Sequence, residues 1–328
     1  MKNKNSNPHL TSRNAQRGVT LVELMVAMVI GIFLLGAVAI IYVSTSSSAR
    51  SSTFESQMNE DATLALEILA QQIRLAGFSE LDGTSRKFSG IAVRGCDTAF
   101  QSSNADFGSL TCGSTGSSAI AIQYEATTRN TPKTSDDKPS NCSYSGIDTW
   151  NHDGLGTTAD IALADNRYFV QNDNTNSNAP TLYCQGRTGA TFEDSATALI
   201  PNIESIQIKY GVTLEPEADQ ILPHQITAYQ TASEVEALTG NWSRVAAVQI
   251  CLTARSSAPV STGGDSKENI SFYVDCDGNR KTDISDRYLR RAYTTTVQLR
   301  NMRPGVPLSF QLDGTSARNP WSYEEVSE

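Results

Sequence analysis

Arg17-Gly18-Val19-Thr20-Leu21-Val22-Glu23 is followed by an apolar run from Leu24 to Val43. Those 20 residues contain neither a charge nor a proline. At 1.5 Å of rise per residue the run makes a helix of roughly 30 Å, the thickness of a bilayer core. Only a helix satisfies every backbone donor and acceptor of a single segment in lipid, so the form follows from the composition. Glu23 is the anomaly, a carboxylate at the edge of the apolar run. Such a group is costly at membrane depth and points to function when a partner exists for it. The helix N-terminus favours an anion there. A cut after Gly18 would add a full positive charge, the α-amine of Val19. On a neighbouring copy that amine would turn a costly acid into a device for setting register.

An ordinary secretory signal has a shorter apolar core and an A-x-A-like site after it. Here Ser44-Thr45-Ser46-Ser47-Ser48-Ala49 follows the run. A plain membrane anchor accounts for the length but not for Glu23 five residues behind Gly18.

The stretch resembles the N-terminal signal of type IV pilins and pseudopilins: a basic leader, Gly, an apolar residue, Thr, Leu, an aliphatic residue, Glu, and an apolar helix. Val19 stands where most members carry Phe. The resemblance implies cleavage between Gly18 and Val19 by prepilin peptidase, N-methylation of Val19, and Glu23 as the assembly glutamate. It divides the chain into a leader (1–18), a long helix (19–77) and a head (78–328). The helix is expected to cross the membrane over 24–43 and to be amphipathic over 53–76.

Composition supports that division. The leader holds Lys2, Lys4, Arg13 and Arg17 and no acid; without it the formal net charge falls from −9 to −13. Positive residues before the span place the leader in the cytoplasm and the bulk outside. An acidic head has no broad attraction for DNA or anionic lipid, so nucleic acid is not an expected partner. The six cysteines, Cys96, Cys112, Cys142, Cys184, Cys251 and Cys276, all lie in the exported part. With no C-x-x-C and only His152 and His224 beyond the leader, disulfides are the economical reading. Six cysteines allow fifteen connectivities. Sequential pairing, Cys96–Cys112, Cys142–Cys184 and Cys251–Cys276, is expected because each bridge would staple one Ser/Gly/Asn-rich excursion.

From Thr53 to Ala76 apolar residues recur at steps of three and four: Phe54, Met58, Ala62, Ala65, Leu66, Leu69, Ile73 and Ala76. Gly77 is the natural stop. Short strands follow, expected at Ala119–Ala126, Arg167–Gln171, Thr181–Gln185, Ile203–Val212, Arg244–Ala254, Ile270–Val274 and Ala292–Arg300. Between them run long loops of low apolar content, 101–118, 127–158, 172–180 and 256–269. Loops longer than about 15 residues are candidate contact surfaces. The fold class is therefore α+β, a long N-terminal helix packed on an antiparallel sheet. Residues 72–78, 203–212 and 286–297 resemble segments of PilW-type minor pilins.

Little suggests catalysis. No G-x-S-x-G, H-E-x-x-H or phosphate-binding glycine loop is present, and no enzyme activity or cofactor is expected. One stretch has calcium-like spacing: Asp275, Asp277, Asn279 and Asp283 around Gly278. A hairpin turn explains the same residues, and Arg280 and Lys281 oppose a cation. Arg287, Arg290 and Arg291, interleaved with Tyr288 and Tyr293, are expected to form salt bridges rather than a nucleic-acid patch.

The resemblance implies a structural minor pilin that initiates or caps the type IV pilus and supports extension and twitching motility. Its expected partners are other minor pilins, the major pilin, prepilin peptidase and the inner-membrane assembly platform. Its expected location is the inner membrane of a Gram-negative bacterium, head in the periplasm, and then the pilus. A pseudopilin of a type II secretion system is the alternative, as is a tip adhesin or DNA-uptake module using the long loops.

Overall fold

The computed structural model describes residues 18–82, 85–88, 90–150, 160–214, 225–260, 272–282 and 286–302. One helix, α1 (Leu21–Leu75), includes the serine-rich stretch Ser44–Ser52. The chain divides into two compact units, one ending at Ser51 and one beginning at Ser52. The second unit begins well ahead of residue 78 because half of α1 supplies part of its core.

In the first unit the large apolar residues from Val19 to Val43 are all exposed, on every side of the helix. A helix that is apolar all round needs an apolar solvent or other helices about it. In the second unit the pattern changes. Met58, Ala62, Ala65, Leu69, Ala70 and Ile73 are buried, while Glu55, Gln57, Glu60, Glu67, Gln71 and Arg74 are exposed. Burying a side chain such as Leu69 or Ile73 contributes roughly 1.5–3 kcal/mol. Gly77 ends the helical run at φ +73°, and its N–H donates to the carbonyl of Gln123 at 2.9 Å. A Cβ there would also lie 2.9 Å from Met302 Cγ, so both backbone and packing require glycine.

Two antiparallel sheets complete the unit. The first has the order β3-β4-β5-β6-β7, from β3 (Val93–Cys96), β4 (Ala119–Glu125), β5 (Leu163–Asp173), β6 (Ala179–Gly186) and β7 (Thr197–Pro201). The second has the order β13-β10-β8-β9, from β8 (Ile203–Thr213), β9 (Ile226–Gln230), β10 (Val245–Arg255) and β13 (Arg290–Gln298). Two short hairpins, β1–β2 (Leu81–Asp82, Ser85–Arg86) and β11–β12 (Tyr273–Val274, Arg280–Lys281), and α2 (Ala232–Glu236) are added.

Alternation decides which residues meet the core. Ile206, Ile208 and Tyr210 of β8 stand opposite Leu252, Ile250 and Val248 of β10, and all six are buried. In the first sheet Ile122 and Tyr124 of β4 share their face with Asn166 and Ala164 of β5. There Tyr124 donates its hydroxyl to Gln72 Oε1 at 3.1 Å, and Asn166 Nδ2 donates to the same oxygen at 3.1 Å. This polar network locks α1 to one register on the sheet.

The other face of the first sheet is buried too. Gln123, Asp165, Arg167 and Gln185 lie on it, each at most 4% exposed. The guanidinium of Arg167 sits 5.6 Å from the ring of Phe107 and 4.8 Å from that of Phe192. Arg187 stacks in turn on Phe192 at 5.0 Å and on Trp150 at 4.7 Å. Phe107, Trp150 and Phe192 come from three separate loops, so this layer holds those loops on the sheet. Disulfides Cys96–Cys112 and Cys142–Cys184 tether two of them, and Cys251–Cys276 ties the β11–β12 hairpin to β10. The described parts of 101–118 and 127–158 are therefore covers of a sheet face, which low apolar content did not suggest.

The sequence pattern finds β4, β6, β8, β10 and β13 to within about two residues at most ends. It starts β5 four residues late and misses β3, β7, β9 and α2. Of Ile270–Val274, only Tyr273 and Val274 are strand; residues 270 and 271 lie outside the described part.

Candidate functional site

The residues before the apolar run fold locally for a clear reason. Thr20 precedes the first helical residue, and Glu23 lies three positions on, the spacing of a capping box. The Glu23 N–H donates to Thr20 Oγ1 at 3.2 Å. In return Glu23 Oε2 accepts the Thr20 N–H at 3.2 Å and the Thr20 hydroxyl at 3.2 Å. The carbonyl of Thr20 accepts from Leu24 N at 3.1 Å and opens the helical ladder. The carboxylate thus satisfies a free donor of the first turn and sits at the positive end of the helix dipole. Thr20 was missed as a partner for Glu23, although Thr-x-x-Glu before an apolar run is a readable signal.

Gly18 and Val19 stand just outside the helix, both exposed. Gly18 has no packing reason to be glycine: a Cβ there would meet nothing within 4 Å. Residues 1–17, the rest of the leader, lie outside the described part.

The other candidate sites resolve into structural roles where they are described. Asp275 accepts N–H bonds from Asp277 at 3.0 Å and Asn279 at 2.8 Å, and pairs with Lys281 at 3.2 Å. Asp277 accepts from Gln207 Nε2 at 2.8 Å and from Lys209 at 3.3 Å. These bonds pin the β11–β12 turn onto β8, and lysines supply the counter-charge. Asp283, the fourth residue of the calcium-like set, lies outside the described part, as do His152 and His224. Among the described residues no group of three or more His, Cys, Asp or Glu is placed to hold a metal.

Arg290 is largely buried, pairing with Glu204 at 2.9 Å through Nη2 and with Asp286 at 2.8 Å through Nη1. Its hydrogen bond holds the Asp286 carboxyl down at about 2. Arg291 donates to Asn59 Oδ1 at 3.3 Å, and the hydroxyl of Tyr293 donates to the same atom, joining β13 to α1. Arg287 is exposed. The basic cluster is mainly an internal fastening.

Residues 13–39 match the model of the prokaryotic N-terminal methylation motif. Residues 167–301 match the family model described as type IV pilus-assembly protein W, PilW. A type IV-like pilin from Thermus thermophilus is similar in structure at 12% sequence identity and a TM-score of 0.34, covering 74% of this chain and 97% of that one. No curated protein matches the chain. The chain thus joins a methylation motif that leads into an exposed apolar helix to a region similar to type IV pilus-assembly protein W over β5 to β13, within an α+β architecture.

Proposed function

We propose that the protein is a minor pilin, cut between Gly18 and Val19 by prepilin peptidase and N-methylated on Val19. It then enters the pilus by transferring its apolar helix from lipid into a bundle of neighbouring helices. Glu23 guides that transfer by pairing with the terminal amine of an adjacent subunit. The work is structural: with other minor pilins the protein initiates or caps the fibre above the inner-membrane assembly platform, and so supports extension and twitching.

The observation that carries this reading is the methylation motif at 13–39 on the same chain as a PilW region at 167–301. The exposure of every large apolar residue from Val19 to Val43 supports the transfer step. Gly18, which no packing requires, fits a residue kept for recognition by a peptidase. Positive charges ahead of the span and three disulfides after it fit a head in the oxidising periplasm of a Gram-negative cell.

Mass spectrometry of the processed protein should find an N-terminal N-methyl-valine at position 19. A deletion strain should lose surface pili and twitching while still secreting its exoproteins. A mature chain beginning elsewhere overturns the processing step. A deletion that blocks secretion and spares piliation assigns the protein to a secretion system instead.

A further inference from the structure

The short loop 140–146 is a closed turn with Tyr144 near its tip. The Ser140↔Gly146 bridge forms its base, and the Cys142–Cys184 disulfide ties it to β6. Asn141, 4% exposed, is its hub. Asn141 Oδ1 accepts the N–H of Ser143 at 2.9 Å and that of Ser145 at 3.1 Å, and the Asn141 carbonyl accepts the N–H of Tyr144 at 3.1 Å. Asn141 Nδ2 donates to Glu193 Oε1 at 3.0 Å. These bonds hold Tyr144 at φ +65°, in the left-handed region. A β-carbon crowds the following carbonyl there, so a bulky side chain adopts it only where the surroundings impose it.

Glycine would take the same conformation without strain. The ring adds little to the fold in return: Tyr144 is 72% exposed, the most exposed large apolar residue of the second unit among those described. A residue that strains the backbone and packs on little of its own chain points to a contact outside it. Its neighbours Asn141, Ser143, Ser145 and Gly146 are the residue types that surround a tyrosine anchor with adaptable hydrogen bonding. Lys133 pairs with Asp137 and Lys138 with Asp148, so the two lysines between residues 131 and 149 offset two of the three aspartates there. A surface that meets the tip needs no strong charge of its own. Size narrows the partner further. One tyrosine buries about 150–250 Å², far short of the roughly 800 Å² per partner of a stable free complex. Such an anchor holds only a partner already kept close. Subunits joined through their apolar helices meet that condition, at an effective concentration of about millimolar.

We infer that Tyr144 is the anchor by which this head contacts the head of a neighbouring pilin subunit in the fibre. The contact presupposes the minor pilin proposed above and adds to its pairing at Glu23 a second hold, in the head. The partner supplies an uncharged hollow for the ring and polar groups that bond to the serines of the tip.

Two variants of the full chain test the contact in piliated cells. Tyr144→p-benzoylphenylalanine, on irradiation, should yield an adduct whose second component mass spectrometry identifies as a pilin subunit. Tyr144→Gly should unfold in urea no earlier than the unaltered chain and be cut after Gly18 as usual. It should nonetheless reach sheared pili at about a tenth of the usual level. A lower urea midpoint for Tyr144→Gly would make the tyrosine a residue of the fold and overturn the inference. Normal incorporation of Tyr144→Gly, no adduct, or an adduct only with something other than a pilin overturns it too, and leaves the minor-pilin reading standing. Absence of the unaltered chain from sheared pili removes that reading, and the Tyr144 contact with it.

Discussion

The carboxylate of Glu23 accepts two hydrogen bonds of 3.2 Å from Thr20, its own neighbour three residues back, and the Glu23 N–H donates to Thr20 Oγ1 at 3.2 Å. Before assembly the acid therefore has a local partner. In the proposed assembly step a neighbour's amine would have to offer more than that cap does, and a full positive charge on a carboxylate does so.

Capping and charge are separable by substitution. Glu23→Gln keeps a capping-box side chain and removes the charge. It should leave cleavage after Gly18 intact and sharply reduce incorporation into pili. Thr20→Ala removes the cap, at about 1 kcal/mol, and keeps the charge. It should be incorporated nearly as well as the unaltered chain. Immunoblots of sheared pili against whole-cell protein read both; normal incorporation of Glu23→Gln would falsify the charge-pairing step.

A second prediction concerns Arg167 and Asp165, both fully buried and joined at 2.7 Å, with Gln123 adding a bond to Asp165 at 3.1 Å. Removing one member strands the other charge in the interior. Arg167→Met should destabilise the second unit by about 3–5 kcal/mol. The double variant Arg167→Met with Asp165→Asn should recover part of that loss, because no buried charge remains. Urea midpoints of the full chain in detergent give both numbers. A loss under about 1 kcal/mol for Arg167→Met would mean water reaches the layer.

That pair also shows where the sequence stops being readable. The buried half of α1 announces itself through Met58, Ala62, Ala65, Leu69 and Ile73, and the alternation of Ile206, Ile208 and Tyr210 does the same for β8. In β5, Asp165 and Asn166 look like a loop ahead of the strand expected from Arg167, yet all three are buried. Asp165 and Arg167 pair with one another, and further bonds come from groups far along the chain, Gln123, Gln72 and the Ala105 carbonyl. Nothing local records those partners. Strand β3 hides for a related reason: Gly95 weakens the pattern, but a Cβ there would lie 1.8 Å from the hydroxyl of Tyr210. Strand β9 shows little alternation because both its faces are largely exposed. At the N-terminus the signal stretch was legible from Gly18 to Glu23. The partner role of Thr20 lies in a capping-box spacing, which a pattern of charges does not reveal.

The disulfides differ in what they constrain. Cys142–Cys184 closes 42 residues and Cys96–Cys112 closes 16. Chain entropy alone makes the longer closure worth about 4 kcal/mol and the shorter about 3 kcal/mol. Cys142→Ser with Cys184→Ser should therefore lower the melting temperature more than Cys96→Ser with Cys112→Ser. The reverse order would show that native packing around the bridges outweighs loop closure.

Acid sensitivity follows from Asp286. The side chain of Arg290, and then the Tyr288 N–H, hold its carboxyl at about 2, below the ordinary 3.8. A carboxyl with a depressed native value contributes stability above its unfolded value, and the contribution disappears as pH falls through the native one. The Asp286–Arg290 pair should thus support the fold at pH 5 and above, weaken below about pH 4, and be lost near pH 2. Asp286 is 41% exposed, so solvent screening limits the effect to about 1 kcal/mol. Asp286→Asn should be less stable than the unaltered chain at pH 7 by that amount, and the gap should close toward pH 2. The difference between the urea midpoints of the two proteins reads this carboxyl together with its coupling to Glu204 through Arg290. A gap that stays constant from pH 7 to pH 2 would place the stabilisation in the shape of the side chain and not in its charge.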